Sequence, residues 1–188
     1  MKLVRNWKVV LAASAALELV GSFAHADTVA KGPYYAVPSW DQKLRCDAPS
    51  TCPRFQILGN WDSEAVLDRE TGLVWETVPS TANVTWNFAV GECSGLYKGG
   101  RMGWRLPTIQ EIGSLIDRAG ASPFTPALPT GHPFTVEQTL YWSATTYVSS
   151  ATATKVMDVG TGVGGSGYSK SARARMWCVR GGSGLEAQ

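Results

Sequence analysis

Histidine and recognisable catalytic motifs are scarce in this sequence. The 188 residues include two histidines, His25 and His132, and no G-x-S-x-G pentapeptide of the kind that carries a hydrolase nucleophile. A nucleophile and base pair needs a base that titrates near neutral pH. His132 lies between Gly131 and Pro133, which is typical of a surface loop. We therefore predict that the protein is not an enzyme and has no catalytic residues.

Metal-binding and nucleotide-binding motifs are also missing. Zinc sites need clustered cysteine and histidine, and the acidic stretch from Asp62 to Glu76 contains no Asp-x-Asp loop for calcium. Gly162 to Gly167 formally fits G-x-G-x-x-G, but the dinucleotide motif needs a helix after the glycines. Here Tyr168 to Val179 follows, which is polar and then strand-like. We interpret the glycines as a flexible loop joining two strands, and we predict no cofactor and no metal ligands.

Long apolar runs are limited to one, from Val9 to Phe23. A basic start precedes this run, and the A-x-A cleavage pattern Ala24-His25-Ala26 follows it, as in secretory signal peptides. We predict that residues 1–26 are a signal peptide and that the protein is exported to the periplasm, the cell surface or the medium. Because no later run is long enough to cross a bilayer, we predict no membrane span.

Neither sign of charge is in excess outside the predicted leader. Residues 1–26 hold 3 of the 17 basic and 1 of the 15 acidic residues, which leaves 14 of each sign. A near-neutral protein has little non-specific attraction to a polyanionic nucleic acid. We therefore predict no nucleic-acid partner.

Four cysteines follow the predicted leader: Cys46, Cys52, Cys93 and Cys178. In an exported protein an even number of cysteines predicts disulfides. Three pairings of four cysteines are formally open. Nearness along the chain favours Cys46 with Cys52, which leaves Cys93 with Cys178.

Hydrophobic patterns and the order of the elements predict an α+β domain after an irregular arm that begins at residue 27. The predicted helices are a segment from Trp86 to Leu96, with Thr85 as its N-cap, and a segment that begins at a Thr108–Glu111 capping box. The predicted strands, including one hairpin closed by Gly72, are 54–58, 65–68, 73–75, 140–143, 155–159 and 175–179.

Five motifs occur in a fixed order along this domain. They are Thr71-Gly72-Leu73-Val74-Trp75, then Trp86 with Cys93, then Trp104-Arg105-Leu106-Pro107-Thr108, then Tyr141-Trp142-Ser143-Ala144-Thr145, then Cys178-Val179-Arg180-Gly181. Together they closely resemble the Lcl C-terminal domain family, named after the C-terminus of the Legionella collagen-like adhesin. The resemblance covers about Trp61 to Gly182, and it therefore implies a domain at 61–182, with the irregular arm at 27–60 and a tail at 183–188. It implies a C-type-lectin-like fold, with two helices packed on small antiparallel sheets and a long loop-rich segment, and it also implies a Cys93–Cys178 bridge.

The resemblance further implies attachment to glycans or surfaces, with recognition by the loop-rich segment and late strands, roughly Tyr147 to Arg175. The Glu-Pro-Asn, Gln-Pro-Asp and Trp-Asn-Asp triplets that bind sugar through calcium in lectin-like folds are absent. Tyrosine rings stack on sugars, and lysine and arginine pair with sulfate or carboxylate. The candidate ligand-binding residues are therefore Tyr147, Lys155, Tyr168, Lys170, Arg173 and Arg175. Ordinary solvated side chains are the alternative interpretation.

The sequence therefore favours an exported binding or adhesion module, with a polysaccharide, possessing acidic or sulfated groups, or a surface protein as partner. One alternative is an enzyme similar to the formylglycine-generating oxidases, which share the lectin-like architecture and need a pair of redox-active cysteines. Another is a structural envelope protein without a small ligand. Free thiols distinguish the oxidase from the binding module, because structural disulfides leave none.

Overall fold

Two five-stranded sheets and two α-helices make up the domain, in a computed structural model that describes residues 54–120 and 126–182. This mixture confirms the predicted α+β class. The helices are α1 (Trp86–Gly95) and α2 (Ile109–Leu115). The strands are β1 (Phe55–Ile57), β2 (Ala65–Asp68), β3 (Val74–Glu76), β4 (Ser80–Val84), β5 (Trp104–Arg105), β6 (Leu140–Tyr147), β7 (Ser150–Asp158), β8 (Val163–Ser169), β9 (Ala174–Met176) and β10 (Val179–Arg180). The predicted signal peptide, the Cys46–Cys52 pair and the tail from 183 lie outside the described residues.

The first sheet has the strand order β1-β2-β3-β10-β5, and all of its pairings are antiparallel. The predicted hairpin is confirmed: β2 and β3 pair with Val66 opposite Trp75. Gly72 has a φ of 72° in the connecting turn, a conformation that glycine adopts without steric cost. Strand β10, from the end of the domain, lies between β3 and β5.

The second sheet has the strand order β4-β9-β6-β7-β8. Its pairings are antiparallel except for β6 with β9, which are parallel where Tyr141 meets Arg175. The prediction of a flexible loop at Gly162 to Gly167 is wrong, because Val163–Ser169 is the edge strand β8. Glycine has no side chain to pack, but pairing with β7 satisfies the backbone hydrogen-bonding groups of this strand.

Both helices begin as predicted, and α1 ends before Gly99, the glycine that the sequence pattern offers as its stop. Thr108 and Glu111 form the predicted capping box: the Thr108 hydroxyl accepts from the Glu111 amide at 3.1 Å, and the Glu111 carboxylate accepts from the Thr108 amide at 2.9 Å. Thr85 occupies the N-cap position of α1, but its side chain makes no capping hydrogen bond. Helix α1 ends at Gly95.

The predicted strand at 175–179 is two strands in two different sheets. Strand β9 belongs to the second sheet and β10 to the first, so the chain crosses between the sheets at Trp177 and Cys178. Cys178 therefore lies between strands rather than within one. The crossing is held by Glu76, whose backbone oxygen accepts from the Trp177 indole at 2.9 Å and whose carboxylate accepts from the Cys178 amide at 2.8 Å.

Strand β6 separates two hydrophobic clusters and is buried on both faces. Tyr141 packs in the first cluster with Trp177 and Leu115, and Trp142 packs in the second with Trp104 and residues of α1. Tyr141 and Trp142 are both at most 1% exposed. The tryptophans in the described residues are all buried or half-buried, and they are Trp61, Trp75, Trp86, Trp104, Trp142 and Trp177.

The segment from Tyr147 to Arg175, to which recognition was assigned, is mostly strand. Most of Tyr147 to Arg175 is the antiparallel ladder of β7 and β8. Irregular chain lies instead at 126–139, before β6. The parts of this segment outside β6 to β9 are the turns at 148–149, 159–162 and 170–173.

Candidate functional site

A disulfide between Cys93 and Cys178 joins α1 to the crossing between β9 and β10. The two Cα atoms are 5.5 Å apart, and both residues are at most 1% exposed. This confirms the predicted pairing. Because the bond is surrounded by core residues, it acts as a crosslink inside the domain and is closed to solvent thiols in the folded state.

Three of the six predicted ligand residues meet around the first turn of α1. The Lys170 ammonium lies 4.1 Å from the centre of the Trp86 ring and donates to the Thr146 hydroxyl at 3.1 Å. The Tyr168 hydroxyl donates to the Arg173 backbone oxygen at 3.1 Å. We call this group, made of Trp86, Tyr168, Lys170 and Arg173, the Lys170 surface.

The Lys170 surface carries positive charge without a carboxylate partner. Arg173 is exposed and donates to the Asn83 backbone oxygen at 3.1 Å, which leaves its charge uncompensated. Neither Arg173 nor Lys170 forms an ion pair with any residue that the structure describes. A Lys ammonium against an indole face is a cation–π contact, and it fixes the amine in place while leaving its charge available.

The other predicted ligand residues lie elsewhere. The Arg175 guanidinium is 13% exposed and pairs with the Glu137 carboxylate, so its charge is neutralised. Tyr147 is half-buried at the end of β6. Lys155 belongs to a groove against α2. The six residues therefore do not form one site, and Arg173 and Arg175 engage different partners.

A groove of about 510 Å³ runs between α2 and the β7–β8 ladder. We call it the α2–β7 groove. Its lining includes Ile109, Gln110, Arg118, Lys155, Met157 and Gly164. Sequence reasoning missed the part played by Gln110 and Arg118, because α2 and β7 are far apart in the chain and no pattern links them. The glycines of β8 were the one local signal, and they were interpreted as a linker.

Burial changes the acid–base behaviour of two side chains near the first cluster. Desolvation lowers the pKa of His132 below its ordinary value of 6.5, and its Nδ1 accepts from the Phe134 amide at 3.2 Å. His132 also stacks on the Phe134 ring at 5.9 Å, so it is half-buried and not the surface residue that its loop position predicted. Burial raises the pKa of Tyr141, whose hydroxyl accepts from the Glu137 amide.

Acidification is expected to destabilise the protein through His132. Because the folded pKa is lowered, the unfolded chain binds the proton more readily, so the stability linked to this residue is complete above pH 6.5 and declines as the pH falls toward the folded pKa. Protonation also removes the Nδ1 acceptor from the Phe134 amide. Urea unfolding measured at about pH 8 and about pH 5 should show a smaller pH effect in His132→Asn, which keeps an acceptor but does not titrate. An equal pH effect in both proteins would contradict this assignment.

In the described ranges, 54–120 and 126–182, no three His, Cys, Asp or Glu side chains converge as a set that would hold a metal ion. No helix there has the length and apolar character needed to span a membrane.

An α+β domain with a core disulfide, a cationic aromatic surface and a separate groove defines a small crosslinked module of the kind found outside the reducing cytoplasm. The chain belongs to the Lcl C-terminal domain family, which matches residues 64–180. This confirms the family predicted from the five motifs. Membership and the disulfide together indicate an adhesion-type module that works outside the cytoplasm. The chain has no match among curated proteins.

Proposed function

We propose that this protein is an exported adhesion module that binds acidic or sulfated polysaccharide through the Lys170 surface. The observation that carries the proposal is the pair of cations, Lys170 and Arg173, that lie beside two aromatic side chains and have no carboxylate partner among the described residues. The role is binding rather than catalysis. The proposed fold is C-type-lectin-like, supported by two helices, two small sheets and a disulfide from the first helix to the closing strands.

The chemistry of the Lys170 surface matches a sulfated sugar. Arginine presents parallel N–H donors that fit a sulfate or carboxylate, and lysine supplies a compact positive charge. Trp86 and Tyr168 are half-buried, which leaves part of each ring for the apolar face of a sugar. Exposed charges of this kind act mainly by electrostatic attraction, so binding should weaken with salt.

The oxidase alternative finds no support in the placement of the described cysteines. Such an enzyme needs a reactive thiol pair that opens into a cleft. Cys93 and Cys178 are joined and buried, and neither lines the α2–β7 groove.

Retention on a heparin column tests the proposed function. The double variant Lys170→Met, Arg173→Met keeps two side-chain stems and removes two charges, so it should elute at lower salt. The slope of log affinity against log salt concentration is negative, and it should become shallower by about two, one for each lost contact with the polyanion.

A matched double variant, Arg69→Met with Arg101→Met, removes two exposed arginines from the region of the first sheet. Arg69 donates a hydrogen bond to the Gln56 side chain, and Arg101 lies over the Trp61 ring. Neither of these partners belongs to the Lys170 surface. This control should keep the retention of the unmodified protein. If both doubles lose retention equally, heparin responds to net charge alone and the placement is wrong.

A further inference from the structure

The α2–β7 groove combines an apolar floor with a cationic edge. Ile109 and Ile116 of the α2 region face Met157 of β7 across it. The volume of the groove is about 510 Å³, which is within the range of sites that hold small molecules. Contact with this apolar surface contributes little binding free energy for the hydroxyl groups of a polysaccharide. For a hydrocarbon group, the binding free energy increases in proportion to the apolar area removed from water.

The glycines of β8 keep this groove open. Gly164 lies on its lining, opposite Met157 in the β7–β8 ladder. A Cβ built on Gly164 would be 3.8 Å from the Met157 methyl, which is ordinary contact, so a larger side chain fits the strand and would project into the groove. Gly162 closes the end of the groove, where its φ of 69° and the close approach of Ile116 exclude a side chain. Because Gly164 has no side chain, space remains in the groove that a larger residue at this position would occupy.

Two cations, Lys155 and Arg118, line the groove, and none of its lining residues within the described part of the chain is a carboxylate. Lys155 is half-buried, and its amine makes no hydrogen bond or ion pair with the described residues. The Arg118 Nε donates to the Gly162 backbone oxygen at 3.0 Å, which orients the guanidinium at the groove end. The charge of the lining is thus positive and uncompensated. Gln110 adds an amide that both donates and accepts.

We propose that the α2–β7 groove binds small amphiphilic anions, meaning alkyl or aryl carboxylates with a compact apolar body. The hydrocarbon lies on Ile109 and Met157, and the carboxylate meets Lys155 and Arg118. This site is separate from the Lys170 surface in its residues and in its ligand. The inference therefore stands independently of polysaccharide binding.

Calorimetric titration with sodium octanoate, repeated with 1-octanol, tests the proposal. Octanoate should bind saturably at one site, and the uncharged alcohol should bind at least about tenfold more weakly, the factor expected from one charge-assisted hydrogen bond. Lys155→Met keeps the stem and removes the charge, so it should weaken octanoate by about the same factor without changing the octanol result.

Gly164→Leu should abolish binding of both compounds by filling the groove, and thermal unfolding of this variant will show that the domain remains folded. Arg101→Met, which removes a cation outside the groove, should bind octanoate as the unmodified protein does. Equal binding of octanoate and octanol, or undiminished octanoate binding by a folded Gly164→Leu, would overturn the proposal. Heparin retention tests the Lys170 surface and octanoate titration tests the α2–β7 groove, so each proposal can fail without the other.

Discussion

Replacing Cys93 and Cys178 together by alanine is expected to lower the free energy of unfolding by about 4 kcal/mol. The crosslink joins residues 85 positions apart, and closing so long a loop removes many conformations from the unfolded chain. Both cysteines are packed inside the domain, so alanine also leaves a small void beside α1. Urea unfolding of the double variant, followed by tryptophan fluorescence, measures the change.

The unmodified protein, unfolded and refolded in dithiothreitol, is compared with the double alanine variant treated in the same way, so that the predicted Cys46–Cys52 bridge is reduced in both. It should approach the stability of the double alanine variant, because both lack the same constraint. The folded protein should resist reduction, since the disulfide is closed to solvent. A double variant within about 1 kcal/mol of the unmodified protein would show that other contacts, and not the crosslink, hold α1 to the closing strands.

Arg54→Met is expected to cost about 3–5 kcal/mol of stability, the usual effect of leaving a buried charge without its partner. Arg54 and Asp68 are both 0% exposed, and the guanidinium donates to the two carboxylate oxygens at 3.0 and 2.9 Å. It also donates to the backbone oxygen of Ser114 at 2.7 Å, so one side chain links β1, β2 and α2. Chemical denaturation gives the loss directly.

The double variant Arg54→Met, Asp68→Leu separates the penalty of an unpaired charge from the loss of packing. It should be more stable than Arg54→Met alone, because the Asp68 carboxylate is no longer buried without its cation. Glu70, whose carboxylate lies 3.3 Å from Arg54 Nε, loses that ion pair in both variants. Arg69→Met, next to Asp68 but exposed, should change stability by less than about 0.5 kcal/mol. If Arg54→Met is as mild as Arg69→Met, the buried pair contributes nothing.

Features that depend on neighbouring residues could be predicted from the sequence. The Thr108–Glu111 capping box needs only its own four residues, and the turn at Gly72 needs only a residue that tolerates positive φ. The Cys93–Cys178 pairing followed from the resemblance and from nearness of the other two cysteines. The capping box and the turn could be predicted because the physics that decides them is local, whereas the long disulfide was reached through the family resemblance.

Features that depend on which strands become neighbours could not be predicted. Residues 175–179 look like one strand, yet contacts with Glu76 break them at Trp177 and Cys178. Val163–Ser169 has too many glycines for a strand by propensity, and pairing with β7 overrides that preference. Tertiary partners, absent from any local pattern, decided both.

The candidate site shows the same division. Lysine, arginine and tyrosine were predicted as ligand residues because their chemistry suits acidic ligands. Their separation was not visible, because Arg175 finds Glu137 and Lys155 faces α2 only after the second sheet forms. Trp86, which holds the Lys170 ammonium, was interpreted from its helical spacing alone.

The position of the last two strands has a consequence for the order of assembly. Strand β9 lies inside the second sheet and β10 inside the first, each flanked by strands made earlier. A nascent chain that has not yet delivered residues 174–180 therefore lacks the strand that joins β5 to β3 in the first sheet and the strand that joins β4 to β6 in the second. Native pairing across such long separations is slow to form. The chain should acquire its architecture in a late, concerted event rather than strand by strand as it emerges.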